Sequence, residues 1–152
     1  MTLAGTLETE LELKSPADKY FKRISSEQHH TPNASPDKVH AVEVHEGDWE
    51  TPGSVKLWTY TLNGKKEVFK DKIEVDEAKK SVTLVAVDGH VMEKYKSYKV
   101  ILHIVPRGEA SVAKITLDFE KHHESHDDPK DYLPFVISVA KDIDEHLASQ
   151  AD

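Results

Sequence analysis

Lysines at inward-facing strand positions are the residues with the clearest potential for chemistry. Lys56, Lys70 and Lys96 fall on the side of their predicted strands that we assign to the interior. A lysine amine desolvated in an apolar pocket has a lowered pKa and can act as a base or form a Schiff base. All three lie near strand ends, however, where a long side chain usually extends its amine into water. We therefore favour solvated lysines and predict no catalytic residue.

Signatures of other active sites are missing or weak. The chain has no cysteine, which excludes a cysteine nucleophile, a thiolate zinc site and a disulfide framework. It contains no Gly-x-Ser-x-Gly motif. His122, His123 and His126 lie beside Glu124, but their spacing matches no established metal-ligand pattern. The sequence predicts neither a metal site nor a cofactor.

A glycine-rich segment at residues 47–53 superficially looks like a phosphate-cradling loop. It lacks the Gly-Lys-Ser/Thr ending, and it joins two predicted strands instead of a strand and a helix. We predict a structured turn, with Trp49 covering one end of the sheet or the mouth of a pocket. The residues of this glycine loop that we single out are Gly47, Asp48, Trp49 and Gly53.

The length and net charge of the chain exclude several classes of protein. The 152 residues favour a single domain over residues 1–152. The net charge of −8 argues against a nucleic-acid partner, because phosphate binding needs a basic surface. No apolar stretch approaches the roughly 18 residues that span a bilayer, and the first residues carry no secretory signal. We expect a cytoplasmic monomer without membrane insertion.

Alternation of apolar and polar residues predicts seven strands. The first covers residues 3–13, where leucines alternate with threonines and glutamates. Asn63-Gly64 and Asp88-Gly89 are tight-turn signals, so consecutive strands should form an antiparallel meander. The six later strands are predicted at residues 39–45, 55–62, 67–75, 81–87, 95–105 and 112–120.

Two short helices are predicted between the first and second strands. Ser15 suits the N-cap of the first helix and Pro16 its first position. Residues 25–36 should form a second short helix or an irregular turn, broken by Pro32 and Pro36.

Residues 128–148 predict one long amphipathic helix, around which the sheet must be organised. Two starting points are possible. Asp127 or Asp128 could cap a helix that begins at Pro129, in which case Pro134 bends its first turns. Alternatively Asp131 is the N-cap, and Pro134 then lies harmlessly in the first turn.

These elements define an α+β fold in which a curved, seven-stranded antiparallel sheet wraps the long C-terminal helix. One helix does not fill such a sheet, so we expect an internal cavity suited to apolar ligands. Strand parity and the apolar helix face predict its ligand-binding residues: Trp58, Tyr60, Val68, Leu84, Tyr98, Val100, Ile115, Leu117, Tyr132, Phe135, Val136 and Val139.

Short stretches spread over the chain carry a family resemblance. They are Leu3-Ala4-Gly5-Thr6-Leu7-Glu8, His29-His30, His45-Glu46-Gly47-Asp48-Trp49, Gly53-Ser54-Val55, Trp58-Thr59-Tyr60, Glu93-Lys94-Tyr95-Lys96-Ser97-Tyr98 and Lys141-Asp142-Ile143-Asp144-Glu145-His146-Leu147. With these stretches the chain resembles the major latex proteins, of the plant superfamily that includes the birch pollen allergen and the pathogenesis-related class 10 proteins. The resemblance runs in order over essentially the full length. Glu50 departs from it, because many latex-type members carry glycine at that position, and Pro134 is a second departure.

This resemblance implies the helix-grip fold, a large cavity for hydrophobic or amphipathic small molecules such as lipids, sterols or plant metabolites, and a link to plant defence and stress responses. Some superfamily members are enzymes, such as norcoclaurine synthase, which uses an interior lysine and carboxylates. Here the clean last strand places Lys114 outward, which counts against catalysis. Other members are hormone receptors, whose gate sequence is not recognisable in this chain.

We therefore predict a non-enzymatic carrier or sensor of hydrophobic small molecules, with Tyr60, Tyr98 and Tyr132 as polar anchors. The alternatives are a lysine-assisted lyase or condensing enzyme of specialised metabolism, and a hormone-receptor-like interaction protein.

Overall fold

A single antiparallel sheet dominates the computed structural model, which describes residues 3–150. Within those residues the sheet has seven strands in the order β1-β7-β6-β5-β4-β3-β2, so β1 and β2 form its edges. Sequence neighbours pair from β2 to β7, as the predicted meander requires. The strands are β1 (Ala4–Leu13), β2 (Val39–Glu46), β3 (Val55–Leu62), β4 (Lys65–Asp76), β5 (Ser81–Gly89), β6 (Tyr95–Arg107) and β7 (Ala110–Lys121).

Three α-helices accompany the sheet in the described part of the chain. They are α1 (Ala17–Ser26), α2 (Thr31–Ala34) and α3 (Tyr132–Ser149), and 3-10 turns occupy Gln28–His30 and His90–Glu93. The 18 residues of α3 span about 27 Å. None of the helices between residues 3 and 150 has the length and apolarity needed to cross a bilayer.

The start of α3 agrees with the second of the two predicted alternatives. The helix begins at Tyr132, directly after Asp131, and Pro134 is its third residue. A proline in the first turn removes no intrahelical hydrogen bond, because the amides there have no helical partner. The Asp131 side chain makes no capping hydrogen bond, so only the position of the start is confirmed.

The start of α1 corrects one prediction. Ser15 is not the N-cap: the helix begins at Ala17, and no side chain caps it. Instead the backbone N–H of Ser15 donates to the Asp144 carboxylate of α3 at 3.0 Å, and Lys14 N–H donates to the same group at 2.9 Å. Buried Asp144 thus joins the end of β1 to α3.

The two tight-turn signals have different outcomes. Asn63-Gly64 forms a two-residue hairpin loop between β3 and β4, with positive φ values of 50° and 78°. Asp88-Gly89 is not a turn, because β5 continues through Gly89 and pairs with Phe69 of β4. A Cβ at Gly89 would collide with the Val68 carbonyl, so glycine serves here for close backbone approach. The chain reverses in the following 3-10 turn.

The predicted inward face of β4 was also wrong. Phe69, Asp71 and Ile73 are buried, whereas Val68 and Lys70 are only half-buried and belong to the opposite face. The prediction failed because apolar Val68 lies on the outer face while the interior face carries an acidic residue, Asp71.

Candidate functional site

An apolar cavity lies between the concave face of the sheet and α3. Its volume is about 120 Å³, measured by where the centre of a water molecule can lie. None of the charged side chains between residues 3 and 150 lines it. The lining residues are Tyr20, Ile24, Gln28, Thr31, Val39, Trp58, Tyr60, Phe69, Leu84, Val91, Tyr98, Val100, Leu102, Tyr132, Phe135, Val136, Val139, Ala140 and Ile143.

Nine of the twelve residues predicted to bind a ligand lie in this lining: Trp58, Tyr60, Leu84, Tyr98, Val100, Tyr132, Phe135, Val136 and Val139. Val68 does not, because it lies on the outer face of β4. Ile115 and Leu117 face inward from β7 as predicted, but other side chains cover them completely in the core. That a ligand contacts the nine lining residues stays a prediction.

Sequence reasoning missed the contribution of the α1–α2 segment to the cavity. Tyr20, Ile24 and Gln28 follow one another at intervals of four, and all three line the cavity together with Thr31. That spacing places side chains on one face of a helix and was the available signal. The amphipathic pattern identifies the inner face of a helix but not the part of the sheet that the face covers.

The tyrosine hydroxyls at the α3 start are not equivalent. Tyr60 and Tyr132 donate to the same oxygen of Glu67, Oε1, at 2.9 and 2.8 Å. The Tyr98 hydroxyl makes no hydrogen bond within residues 3–150, although its ring packs against Tyr132 with centroids 5.7 Å apart. Burial raises the pKa of all three phenols well above the ordinary value of 10.0, so each stays protonated and able to donate. Tyr98 therefore has the uncommitted hydroxyl of the predicted anchors.

The glycine loop is ordered by its own side chains. The Asp48 carboxylate accepts from the backbone N–H groups of Thr51 and Glu50 at 2.7 and 2.9 Å, and from the Thr51 hydroxyl at 3.0 Å. These hydrogen bonds hold the pKa of Asp48 below its usual 3.8. Because the loop amides serve this carboxylate, they are not arranged around a phosphate.

Trp49 connects the glycine loop to its surroundings. Its ring packs on His29 with centroids 4.7 Å apart, and the Lys56 amine lies 5.8 Å from its centroid. His29 belongs to the turn that carries Gln28. The loop therefore covers one end of the sheet, next to the cavity wall.

Lys56 corrects the prediction that the inward lysines are solvated. Its side chain is 0% exposed, and its Nζ has no hydrogen-bond partner in the described part of the chain. Burial lowers the pKa of Lys56 despite the attraction of Asp71, the residue opposite it on β4. Lys96, in contrast, is solvated as predicted: its side chain is half-exposed and lies 3.5 Å from Glu120.

Asp71 is also 0% exposed, and neither of its carboxylate oxygens has a hydrogen bond of good geometry. Burial raises its pKa from 3.8 to about 7, although the Trp58 indole N–H and Lys56 act in the opposite direction. This polar pair lies two residue pairs along the sheet from Trp58 and Phe69, which line the cavity. Neither Lys56 nor Asp71 belongs to the lining itself.

Metal binding finds no support in the described geometry. Within residues 3–150, no three histidine, aspartate or glutamate side chains are grouped closely enough to hold an ion. Of the predicted histidine cluster, His122 contacts the Met92 carbonyl at 2.9 Å, and His123 contacts Ser125.

A curved seven-stranded sheet around one long helix, enclosing an apolar cavity, defines a helix-grip protein. Residues 2–150 match the family model described as the "Pathogenesis-related protein Bet v 1 family". The chain belongs to this family, within its major latex protein group, which confirms the resemblance found in the sequence.

Relatives of known sequence or structure match this chain over nearly its full length. MLP-like protein 328 of Arabidopsis thaliana is 39% identical, over 97% of this chain and 98% of the relative. MLP-like protein 43 of the same plant is 41% identical, over 98% and 96%. The crystal structure of major latex-like protein 151 from Panax ginseng superimposes with a TM-score of 0.91 at 36% identity, covering 95% of this chain and 97% of that one. Norcoclaurine synthase from Thalictrum flavum shares the fold with a TM-score of 0.77 at 20% identity, covering 98% and 89%.

Proposed function

We propose that this protein binds and carries apolar or amphipathic small molecules in its internal cavity. The observation that supports this most directly is a cavity whose lining is almost entirely apolar and includes no charged side chain of residues 3–150. We place this activity in the cytoplasm and in plant defence and stress responses, in keeping with the pathogenesis-related family of the chain.

Burial of apolar surface would supply the affinity. At about 25 cal/mol per Å², a ligand that buries about 200–300 Å² gains roughly 5–7 kcal/mol before ordering costs. Micromolar or weaker binding follows, with loose selectivity among apolar molecules. The Tyr98 hydroxyl can add orientation, because it has no hydrogen-bond partner in the described chain.

A fluorescence titration with anilinonaphthalene sulfonate tests the proposal, using protein whose near-UV circular dichroism shows fixed tertiary packing. We expect saturable one-to-one binding that apolar competitors displace. Val139→Trp should fill the cavity and weaken binding at least tenfold with the fold retained. Val87→Trp is the matched control, because Val87 is 47% exposed and lies outside the lining. Equal affinities in both variants would remove the cavity as the binding site.

Lys56 favours a second candidate, a lysine-assisted lyase or condensing activity. Burial lowers the pKa of Lys56, and a lysine amine that has lost its proton can condense with an aldehyde to give an imine and water. Its position outside the cavity lining makes this the weaker proposal. Borohydride reduction in the presence of benzaldehyde should leave a stable adduct on Lys56, located by peptide mass spectrometry. Absence of an adduct at Lys56 would exclude this chemistry. An adduct of the same mass in Lys56→Met would also exclude it, because the aldehyde would then have reacted with another residue.

A further inference from the structure

Two polar side chains, each with one hydrogen-bonding group unused, lie where the α1–α2 segment lines the cavity. Gln28 and Thr31 are each 3% exposed, and both line the cavity. The Gln28 amide nitrogen donates to the Ile24 carbonyl at 3.1 Å, while its oxygen, Oε1, accepts no hydrogen bond. The Thr31 hydroxyl makes no hydrogen bond to any residue between 3 and 150. Both side chains therefore have unused hydrogen-bonding capacity against an apolar space.

The orientation of the Gln28 amide follows from its contact with Ile24. A carbonyl oxygen accepts only, so the group facing it must be the NH₂ end of the amide. The oxygen is then left as an acceptor without a donor. Buried polar atoms in folded proteins nearly always have a partner, and an exception that lines a cavity points to a ligand that supplies one.

The chemistry of the pair specifies the group that it fits. Gln28 Oε1 needs a donor, while the hydroxyl of Thr31 can donate to an oxygen. A ligand hydroxyl does both. Because no charged side chain lines the cavity, an ionised head group would be desolvated without compensation. A neutral alcohol with a compact apolar body meets both conditions.

We propose that Gln28 and Thr31 form a polar subsite that selects neutral alcohols among the apolar molecules entering the cavity. The ligand O–H donates to Gln28 Oε1, and the ligand oxygen accepts from the Thr31 hydroxyl. This inference rests on the proposed carrier function, and it adds a ligand class to that function.

The subsite is distinct from Tyr98, so the two can be tested separately. Tyr98 packs against Tyr132, the first residue of α3. The α1–α2 segment instead contacts α3 further along: the Tyr20 hydroxyl donates to the Ala140 carbonyl at 2.8 Å, and the Ser35 hydroxyl donates to Asp142 at 2.7 Å. From Tyr132 to Ala140 the helix rises about 12 Å.

The test compares 2-naphthol with 2-methylnaphthalene, in which a methyl group replaces the hydroxyl. Both are titrated by displacement of N-phenyl-1-naphthylamine, a fluorescent dye that carries no charge. The measured quantity is the ratio of the two dissociation constants. A substitution that changes the affinity for both ligands equally leaves this ratio unchanged. The variants are Gln28→Met and Thr31→Val, which nearly conserve volume, and Tyr98→Phe is the control at the other end. Near-UV circular dichroism checks the fold of each.

We expect the preference for 2-naphthol to fall about tenfold in Gln28→Met and severalfold in Thr31→Val, as loss of a hydrogen bond to a buried group implies. It should remain unchanged in Tyr98→Phe. If both ligands bind and the ratio is the same in wild type, Gln28→Met and Thr31→Val, the subsite is refuted while the carrier function stands. If the preference for 2-naphthol falls only in Tyr98→Phe, the ligand hydroxyl binds near Tyr98 and the proposed subsite is refuted. Failure of both ligands to bind wild type would overturn the carrier function and the subsite together.

Discussion

Replacing Asp71 with asparagine should make the protein more stable, by an amount that grows as the pH rises from about 4 to about 7. Asp71 is fully buried without a well-formed hydrogen bond, and its pKa is raised from 3.8 to about 7. Between these two values the unfolded chain has lost the proton that the folded protein retains. Stability must therefore fall as pH rises through this window, by up to about 1.4 kcal/mol per pH unit.

The expected size of the effect follows from the width of that window. About three pH units correspond to a loss of about 4 kcal/mol by pH 7 to 8, as an order of magnitude. Asparagine has a similar shape and no proton to lose, so Asp71→Asn escapes this loss. At pH 4 and below, where the carboxyl is protonated in the folded protein, the two proteins should be nearly equal in stability.

Urea unfolding at intervals between pH 4 and pH 8 measures the difference. The midpoint should move to higher urea in Asp71→Asn at pH 8, with the slope of the transition unchanged. Glu74→Gln is the matched control, since Glu74 is an exposed residue of the same strand. The reasoning is refuted if the stability difference between wild type and Asp71→Asn stays constant across this pH range.

Two further substitutions test the packing around the site. Gly47→Ala should destabilise the fold by roughly 2 kcal/mol or more in thermal or urea unfolding, because the φ of Gly47 is +83° and its new Cβ would collide with Ser54. Gly64→Ala, with φ +78° and open space around it, should cost clearly less; equal costs would show that the collision is relieved. Asp144→Ala leaves the amides of Lys14 and Ser15 without acceptors and should cost roughly 2–4 kcal/mol in urea unfolding. A loss below about 0.5 kcal/mol would mean that these contacts do not anchor α3.

The order of elements was largely predictable because binary patterns specify it. β3 follows directly from alternation, whereas Pro134 left two starting points for α3, of which the structure has the later. The failures occur where a polar residue occupies an interior position. Asp71 disrupts the apolar pattern of β4, and Lys56 is buried opposite it, so both violate the rule from which strand faces are assigned.

Cavity residues were predictable from the sheet and from α3, where parity defines a face. They were not predictable from the α1–α2 segment, because the docking of those helices depends on contacts distant in sequence. Gln28 illustrates this: it lines the cavity because Tyr20 and Ser35 join its segment to α3.

The attachments of α3 are distributed unevenly along its length. From Ala140 onward the helix contains its fully buried residues, and it is hydrogen-bonded to β1, α1 and the segment after α2. Its first two turns contain no fully buried residue, and Tyr132 is tied to Glu67 by a single hydrogen bond. The helix is therefore held mainly by its C-terminal half. We expect the first two turns to open at a lower free energy than the part from Ala140 onward, so the cavity wall can change locally without global unfolding.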